Sequence, residues 1–129
     1  MSLDFEKYVN IGRDLIHLPK SSKPHFSFLI HKRGRILSFG WNNGHKTSPL
    51  ANKFGMRYDS IHSELAAIKN MNFPPDFLKK LRLVNIRFKK SGDLGYARPC
   101  KSCQELILTF GIRVVYYTDE SGIFVKEVF

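Results

Sequence analysis

Four residues in two short stretches could bind a metal ion and move a proton. The stretch "IHSEL" places His62 and Glu64 two apart at the start of an apolar run. The stretch "RPCKSC" places Cys100 and Cys103 three apart, on one face of the first turn of a predicted helix. Two thiolates and one imidazole, with a fourth position open for water, form the donor set of a catalytic zinc site.

The Cys-x-x-Cys pair has two other interpretations. It could be a thioredoxin-like redox pair, in which case the protein would hold no zinc and a dithiol would titrate. It could also be half of a structural zinc site, but such a site needs four protein ligands and the sequence contains only two cysteines. Two cysteines so close together are also too few for a disulfide framework.

Glu64 can act with His62 only if both lie at a helix start. Residues two apart in mid-helix point to nearly opposite sides, whereas in the first turn both can reach a site beyond the helix end. Two helix N-termini that meet at one metal ion also favour anionic thiolates and a carboxylate. Beside a water activated by zinc, Glu64 could accept a proton as general base and return it as general acid.

The elements that must position these residues alternate along the chain. Apolar spacing and turn residues predict a helix over 4–18, strands over 25–31 and 35–41, and a loop over 42–60. A helix over 61–71 follows, with Ser60 as N-cap, and a break at 73–75 leads to a short helical turn. The remaining elements are a strand over 83–88, a helix over 100–110 with Pro99 in its first turn and Gly111 after it, and strands over 112–117 and 123–129.

This order predicts an α/β fold, a three-layer α/β/α sandwich around a single five-stranded mixed sheet. Residues 1–129 would form one domain, as their number suggests. Only Thr118 to Gly122 separate the last two strands, whereas a parallel crossover needs about a dozen residues or more. The last two strands are therefore predicted to form an antiparallel hairpin.

The amino-acid composition indicates the class of protein and its cellular location. Hydrophobic residues make up 43% of the chain and charged residues 25%, as in ordinary soluble proteins. No apolar run is long enough to span a membrane, and the first residues do not resemble a signal peptide. We expect a cytoplasmic or other intracellular protein that is not secreted and has no membrane partner. Phe129, at the end of the last strand, could pack into a second copy in a homo-oligomer.

Positive charge is in excess and is concentrated in two segments. The chain has 21 lysines and arginines against 11 acids, a net charge of +10. Residues 20–57 contain no acid, and residues 79–101 contain only Asp93. The basic segments that flank the predicted site, the 42–60 loop and residues 79–101, contain four aromatic residues: Phe54, Tyr58, Phe88 and Tyr96. Such segments suit single-stranded nucleic acid, and they also suit an ordinary core with a solvated basic rim.

The spacing H-x-E at 62–64 followed by P-C-x-x-C at 99–103 resembles the signature of the zinc-dependent cytidine deaminase-like superfamily. The resemblance covers residues 26–129 in element order. It implies a hydrolase acting on a cyclic amidine C–N bond, in which water attacks C4 of cytosine and leaves uracil and ammonia. The alternative is a core histidine, a surface glutamate and an incidental cysteine pair.

The resemblance also implies roles for individual residues. His62, Cys100 and Cys103 match the Zn²⁺ ligands, and Glu64 matches the proton shuttle. Ser63 matches a position whose backbone N–H holds the pyrimidine carbonyl. Two further candidates for substrate binding are Asn42, in a G-x-N match at "GWN" whose alternative is a turn residue, and Tyr117, whose alternative is an ordinary strand aromatic.

Known relatives of this kind differ in the link between the last two strands. Deaminases of deoxycytidylate, of tRNA adenosine and of polynucleotides place a helix there, whereas free cytidine deaminases and several toxin-type deaminases use a hairpin. Free cytidine deaminases, however, usually have a cysteine where this chain has His62. The sequence combines the hairpin with the histidine ligand, so it does not match one subfamily.

Charge favours a cytosine in single-stranded DNA or RNA as the substrate. The alternatives are free cytidine, deoxycytidine or dCMP, adenine as the base, and a catalytically silent zinc domain that binds nucleic acid. An intact set of His62, Glu64, Cys100 and Cys103 favours an active enzyme over the silent domain.

Overall fold

The computed structural model describes residues 3–43, 62–71 and 81–129. The helices and strands in these ranges follow the predicted order. They are α1 (Phe5–Asp14), β1 (His25–Ile30), β2 (Ile36–Trp41), α2 (Ser63–Lys69), β3 (Arg82–Arg87), α3 (Lys101–Thr109), β4 (Val114–Thr118) and β5 (Phe124–Val128). No helix among the described residues has the length and apolarity needed to cross a membrane.

The strands form one five-stranded mixed sheet in the order β2-β1-β3-β4-β5. β1 lies antiparallel to both β2 and β3, β3 lies parallel to β4, and β4 lies antiparallel to β5. The predicted hairpin of the last two strands is confirmed. The parallel pair requires a crossover, and α3 supplies it, which places the start of α3 at the end of the sheet where β3 finishes.

The sheet is covered on both faces, as the predicted three-layer sandwich requires. Because strand residues alternate between faces, β1, β2, β3 and β4 each contribute to two separate cores. One core packs α2 and α3 on the sheet and includes Leu29, Leu65, Leu83, Leu106, Ile107 and Val115. The other packs α1 on the opposite face and includes Tyr8, Phe26, Phe28, Val84, Ile86 and Tyr116.

Helix boundaries differ from the prediction by a few residues, and one assignment was wrong. Cys100 is the N-cap of α3 and has an extended backbone, so Pro99 precedes the cap and is not in the first turn. Similarly, α2 begins after His62, which is its N-cap. Gly111 follows α3 with φ +82°, as a glycine that ends a helix should.

Three predictions fall partly or wholly on residues outside the described ranges. They are the loop over 42–60, of which only Asn42 and Asn43 are described, the Ser60 cap, and the break and helical turn after 73–75. The basic residues Lys46, Lys53, Arg57, Lys79 and Lys80 lie outside the described ranges as well.

A close backbone approach at Gly40 positions α2. A Cβ atom at Gly40 would lie 2.4 Å from the Ala67 nitrogen and 2.6 Å from the Ala66 carbonyl carbon. The Ser38 hydroxyl adds a 2.7 Å hydrogen bond to the Ala67 carbonyl. Glycine therefore lets α2 lie directly on β2, and this contact determines where His62, at the start of α2, is placed.

We expect Gly40→Ala to lower the free energy of unfolding by roughly 1–3 kcal/mol, because the new methyl group meets backbone that cannot rotate away. Gly95→Ala is the matched control. Its Cβ would meet only flexible side chains, Lys89 at 3.2 Å and Arg87 at 3.8 Å, and should cost under about 1 kcal/mol. Urea unfolding of the two variants measures the difference, and equal losses would contradict the role of Gly40.

Candidate functional site

His62, Cys100 and Cys103 come together where α2 and α3 begin. The Nδ1 atom of His62 lies 3.2 Å from the Cys103 sulfur and 3.5 Å from the Cys100 sulfur. The donor atoms of all three residues lie within 4.8 Å of one another. Cys103 is buried, His62 is half-buried and Cys100 is exposed, so the group opens to solvent on one side.

These donors fit a zinc ion. Bonds of about 2.3 Å to sulfur and about 2.0 Å to nitrogen place a sulfur and a nitrogen donor about 3.5 Å apart around a tetrahedral ion. The two observed sulfur–nitrogen distances, 3.2 and 3.5 Å, are close to that value. Three protein donors and an open side match a catalytic zinc site better than a structural one, which would need a fourth protein ligand.

Hydrogen bonds within the group set the protonation of its thiols. The pKa of Cys100 is lowered to about 4, chiefly by a hydrogen bond from Cys103. Burial acts in the opposite direction, and a hydrogen bond from His62 lowers the pKa further. The pKa of Cys103 is raised, because it shares that hydrogen bond with Cys100 and is buried. The bond to Cys100 raises the pKa of His62. Without metal, Cys100 is therefore the thiolate.

We expect iodoacetamide to alkylate Cys100 and spare Cys103 in chelator-treated, folded protein. Because the Cys100 pKa is about 4, its rate should change little between pH 8 and pH 6, whereas an ordinary thiol slows by well over tenfold. Peptide mass spectrometry reads out both sites. His62→Ala loses one hydrogen bond that stabilises the Cys100 thiolate, so the rate of Cys100 alkylation at pH 6 should fall. Equal labelling of both cysteines would contradict this assignment.

Glu64 is buried beside this group, and both of its oxygens are hydrogen-bonded. Only 6% of its surface is exposed. The Asn85 amide donates to Oε2 at 3.0 Å, and the Ser63 hydroxyl donates to Oε1 at 3.2 Å. Glu64 thus lies in the first turn of α2 with a fixed orientation. The first-turn N–H groups, including that of Ser63, have no acceptor within the helix.

Asn85 and Ser27 complete this network, and the sequence analysis missed both. The Ser27 hydroxyl lies 2.6 Å from Asn85 Oδ1 and 2.7 Å from the Ser63 hydroxyl. The Asn85 amide also reaches the Ala97 carbonyl, at 3.3 Å. Both residues are buried, and they face each other across β1 and β3. An uncharged polar residue between two apolar residues in each strand, in "HFSFLI" and "LVNIRF", was the available signal.

We expect Asn85→Leu to lower the free energy of unfolding by about 2–4 kcal/mol, because the buried Ser27 and Glu64 groups would each lose a partner. Asn70→Ala is the matched control. It removes an exposed amide that donates to the Phe39 carbonyl at 2.9 Å, and it should cost under about 1 kcal/mol. Urea unfolding compares the two, and a loss in Asn85→Leu no larger than in the control would contradict a structural role for the network.

Comparison with known proteins bears on the fold. No protein-family model matches the sequence, and no curated protein matches it. Among solved structures, the chain is similar to the dCMP deaminase of the cyanophage S-TIM5, determined in complex with dCMP and dUMP. The TM-score is 0.58 at 20% sequence identity, over 89% of this chain and 80% of that chain. This chain has the cytidine deaminase-like fold.

Within this cytidine deaminase-like fold, Asn42 holds the start of β1. Its Oδ1 accepts from the His25 backbone N–H at 2.9 Å, and its amide donates to the Lys23 carbonyl at 3.0 Å. Both ends of the side chain are thus bonded to backbone. A contact between Asn42 and a substrate stays a prediction.

His25 lies at the same edge of the sheet and was not singled out from the sequence. Its Nδ1 is 2.7 Å from the Lys23 carbonyl, so Nδ1 carries the hydrogen and Nε2 is an acceptor. Burial lowers the pKa of His25, the Glu64 carboxylate acts to raise it, and Arg87 and His62 act to lower it further. These effects show that His25 senses the charges of the site.

Tyr117 lies on the same face of the sheet, but its hydroxyl is bonded elsewhere. It donates to Glu127 at 2.8 Å, and Arg98 binds the same carboxylate through two nitrogens at 2.9 and 2.8 Å. Arg98 chiefly, with Tyr117, lowers the pKa of Glu127 to about 2. This contact fixes the segment before Cys100 against β5. A role for Tyr117 in substrate binding stays a prediction.

Phe129 packs within its own chain. Its ring lies 5.4 Å from the Arg98 guanidinium and against the core of α2 and α3. The expectation of a homo-oligomer through Phe129 stays a prediction.

Proposed function

We propose that the protein is a zinc-dependent hydrolytic deaminase that converts cytosine to uracil in a nucleotide. The observation that carries the proposal is a buried carboxylate held beside three converging donors. A hydrogen bond from Asn85 fixes Glu64, which is two residues after His62 in the chain. The Nδ1 atom of His62 lies 3.2 Å from the Cys103 sulfur. A proton carrier next to an open metal site is the arrangement that hydrolysis of an amino group needs.

In this proposal His62, Cys100 and Cys103 hold the zinc ion. When bound, zinc supplies a Lewis acid that makes water nucleophilic near neutral pH. Glu64 accepts a proton from the water that attacks C4 of cytosine and returns a proton to the departing amino group. A C–O bond forms at C4, the C4–N bond breaks, and the products are uracil and ammonia.

Other residues of the chain would orient the reactants. Asn85 and the Ser63 hydroxyl keep the Glu64 carboxylate in one orientation. The carboxylate therefore loses no further conformational entropy when the reaction begins. The backbone N–H of Ser63, which has no acceptor within α2, would hold the pyrimidine carbonyl, and Asn42 and Tyr117 would contact the rest of the nucleotide. The similarity to a structure that contains dCMP and dUMP supports a nucleotide as substrate.

We expect Glu64→Gln to lower kcat for deamination by roughly 10²- to 10⁴-fold, because an amide keeps the shape but cannot carry the proton. The variant should still bind one zinc per chain, as measured by atomic emission. Glu105→Gln, on the exposed side of α3, removes an equal charge and should retain activity.

Conversion of cytosine to uracil within cytidine, dCMP and single-stranded DNA and RNA, with release of ammonia, is the readout. Loss of zinc from Glu64→Gln would mean that Glu64 has been given the wrong role. Zinc binding without turnover of any substrate by the wild type would instead favour a silent zinc domain.

A cavity of about 460 Å³ favours a second candidate, deamination of cytosine in single-stranded nucleic acid. It lies beside the end of β3 on the α1 face, which is opposite to the face that carries Glu64, and its basic lining residues are Arg13, Lys89 and Lys90. The Arg13 guanidinium lies 5.7 Å from the Phe88 ring in this cavity. A basic pocket with an aromatic wall suits a neighbouring nucleotide. Faster turnover of oligonucleotides than of dCMP would support this candidate.

A further inference from the structure

Arg87 is a cation at the edge of the site with no described function. It is the last residue of β3 and pairs across the sheet with His25. It lies two residues after Asn85 and so on the same face, about 7 Å farther along the strand. Asn85 bonds directly to Glu64, so Arg87 lies one strand repeat beyond the residue that holds the proton carrier.

The Arg87 side chain has a buried nitrogen without a partner. Among the described residues, its Nε is the only buried side-chain nitrogen or oxygen atom that makes no hydrogen bond. The aliphatic part of the side chain runs beside Gly95, whose Cβ would lie 3.8 Å from the Arg87 Cδ atom. Buried polar groups are nearly always bonded, so an unpaired guanidinium nitrogen requires an explanation.

The carboxylates of Glu64 and Glu127 are already engaged elsewhere. The two oxygens of Glu64 accept from Asn85 and Ser63. Glu127 binds Arg98 through both oxygens. His25 offers no negative charge, and burial lowers its pKa, so it is neutral near pH 7. In the part of the chain that the structure describes, Arg87 therefore has no carboxylate partner.

A half-buried cation with no counter-charge costs free energy in the unliganded protein, and an incoming anion would remove that cost. A phosphate group is an anion that a guanidinium binds well, because its oxygens match the donor fork. The position also suits a phosphate, since the base would lie at Glu64 and the rest of the nucleotide would extend along β3 toward Arg87.

Resting on the deaminase function proposed above, we propose that Arg87 is the anchor for the substrate's phosphate. The site then takes a phosphorylated cytosine nucleotide in preference to a free nucleoside. The phosphate could be the terminal group of a mononucleotide or a backbone group of a single strand, since both present the same oxygens.

The test compares Arg87→Gln with the wild type on deoxycytidine, dCMP and a single-stranded 12-mer with one cytosine. We expect the ratio of kcat/KM for dCMP to that for deoxycytidine to fall by roughly 10- to 100-fold, the value of a charge-assisted hydrogen bond. Arg87→Lys should restore part of the ratio, because lysine keeps the charge. Arg35→Gln, an exposed cation near the start of β2 and distant from the site, is the matched control and should leave the ratio unchanged.

The melting temperature separates anchoring from a structural role. Because Arg87 has no partner to lose, Arg87→Gln should melt at the wild-type temperature or above it. If dCMP and deoxycytidine lose turnover equally, or if the variant melts well below the wild type, the anchor is overturned. A loss for the 12-mer equal to that for dCMP would identify a backbone phosphate as the ligand, and a loss for dCMP alone would identify a terminal one.

Equilibrium binding distinguishes failure of this inference from failure of the deaminase proposal. Calorimetry on the zinc-loaded Glu64→Gln variant, with and without Arg87→Gln, measures the affinity for dCMP in the absence of turnover. An affinity that falls at least tenfold without Arg87 supports the anchor even if no substrate is deaminated. Turnover that does not depend on Arg87 would leave the deaminase standing and reject the anchor.

Discussion

The constraint on which the site depends is a carboxylate buried at the start of a helix. Removing a charged group from water is costly unless hydrogen bonds replace the lost hydration. The protein meets this cost with Asn85 from β3 and Ser63 from α2, and Ser27 from β1 bonds to both. Three elements are thereby tied together by polar contacts inside an otherwise apolar core. Partly satisfied networks of this kind are unstable, so the alignment of the three elements is tightly determined.

The residues with reactive side chains were predictable from the sequence, and the residues that support them were not. His62, Glu64, Cys100 and Cys103 are identified by type and spacing, which are local properties. Ser27 and Asn85 act only because the register of β1 and β3 places them opposite each other, 58 residues apart in the chain. Register is determined by the packing of both strands, and no local pattern states it. Arg87 appeared in the sequence only as one of many basic residues.

The fold was predicted well, because the alternation of helices and strands and the lengths of their connections are strong signals. The helix boundaries were predicted less well, because the ends of a helix depend on contacts with the rest of the protein. The short link between β4 and β5 allowed only a hairpin. Pro99 was predicted in the first turn of α3 but lies before the helix, since Cys100 is the N-cap and contacts His62. In the same region, residues 88–99 form more than a simple loop. Phe88 pairs with Leu94, and Ala97 donates to the Thr118 carbonyl at 2.8 Å, so the segment that leads to Cys100 is bonded along its length.

The separation of the three donors along the chain has a consequence for folding. His62 and Cys100 lie 38 residues apart, with all of β3 between them. An ion that joined them would close this loop, and the chain entropy it removes from the unfolded ensemble corresponds to about 3 kcal/mol. That is a large share of the stability of a small protein. An ion bound at this position would therefore connect the order of the central strand to the supply of metal in the cell.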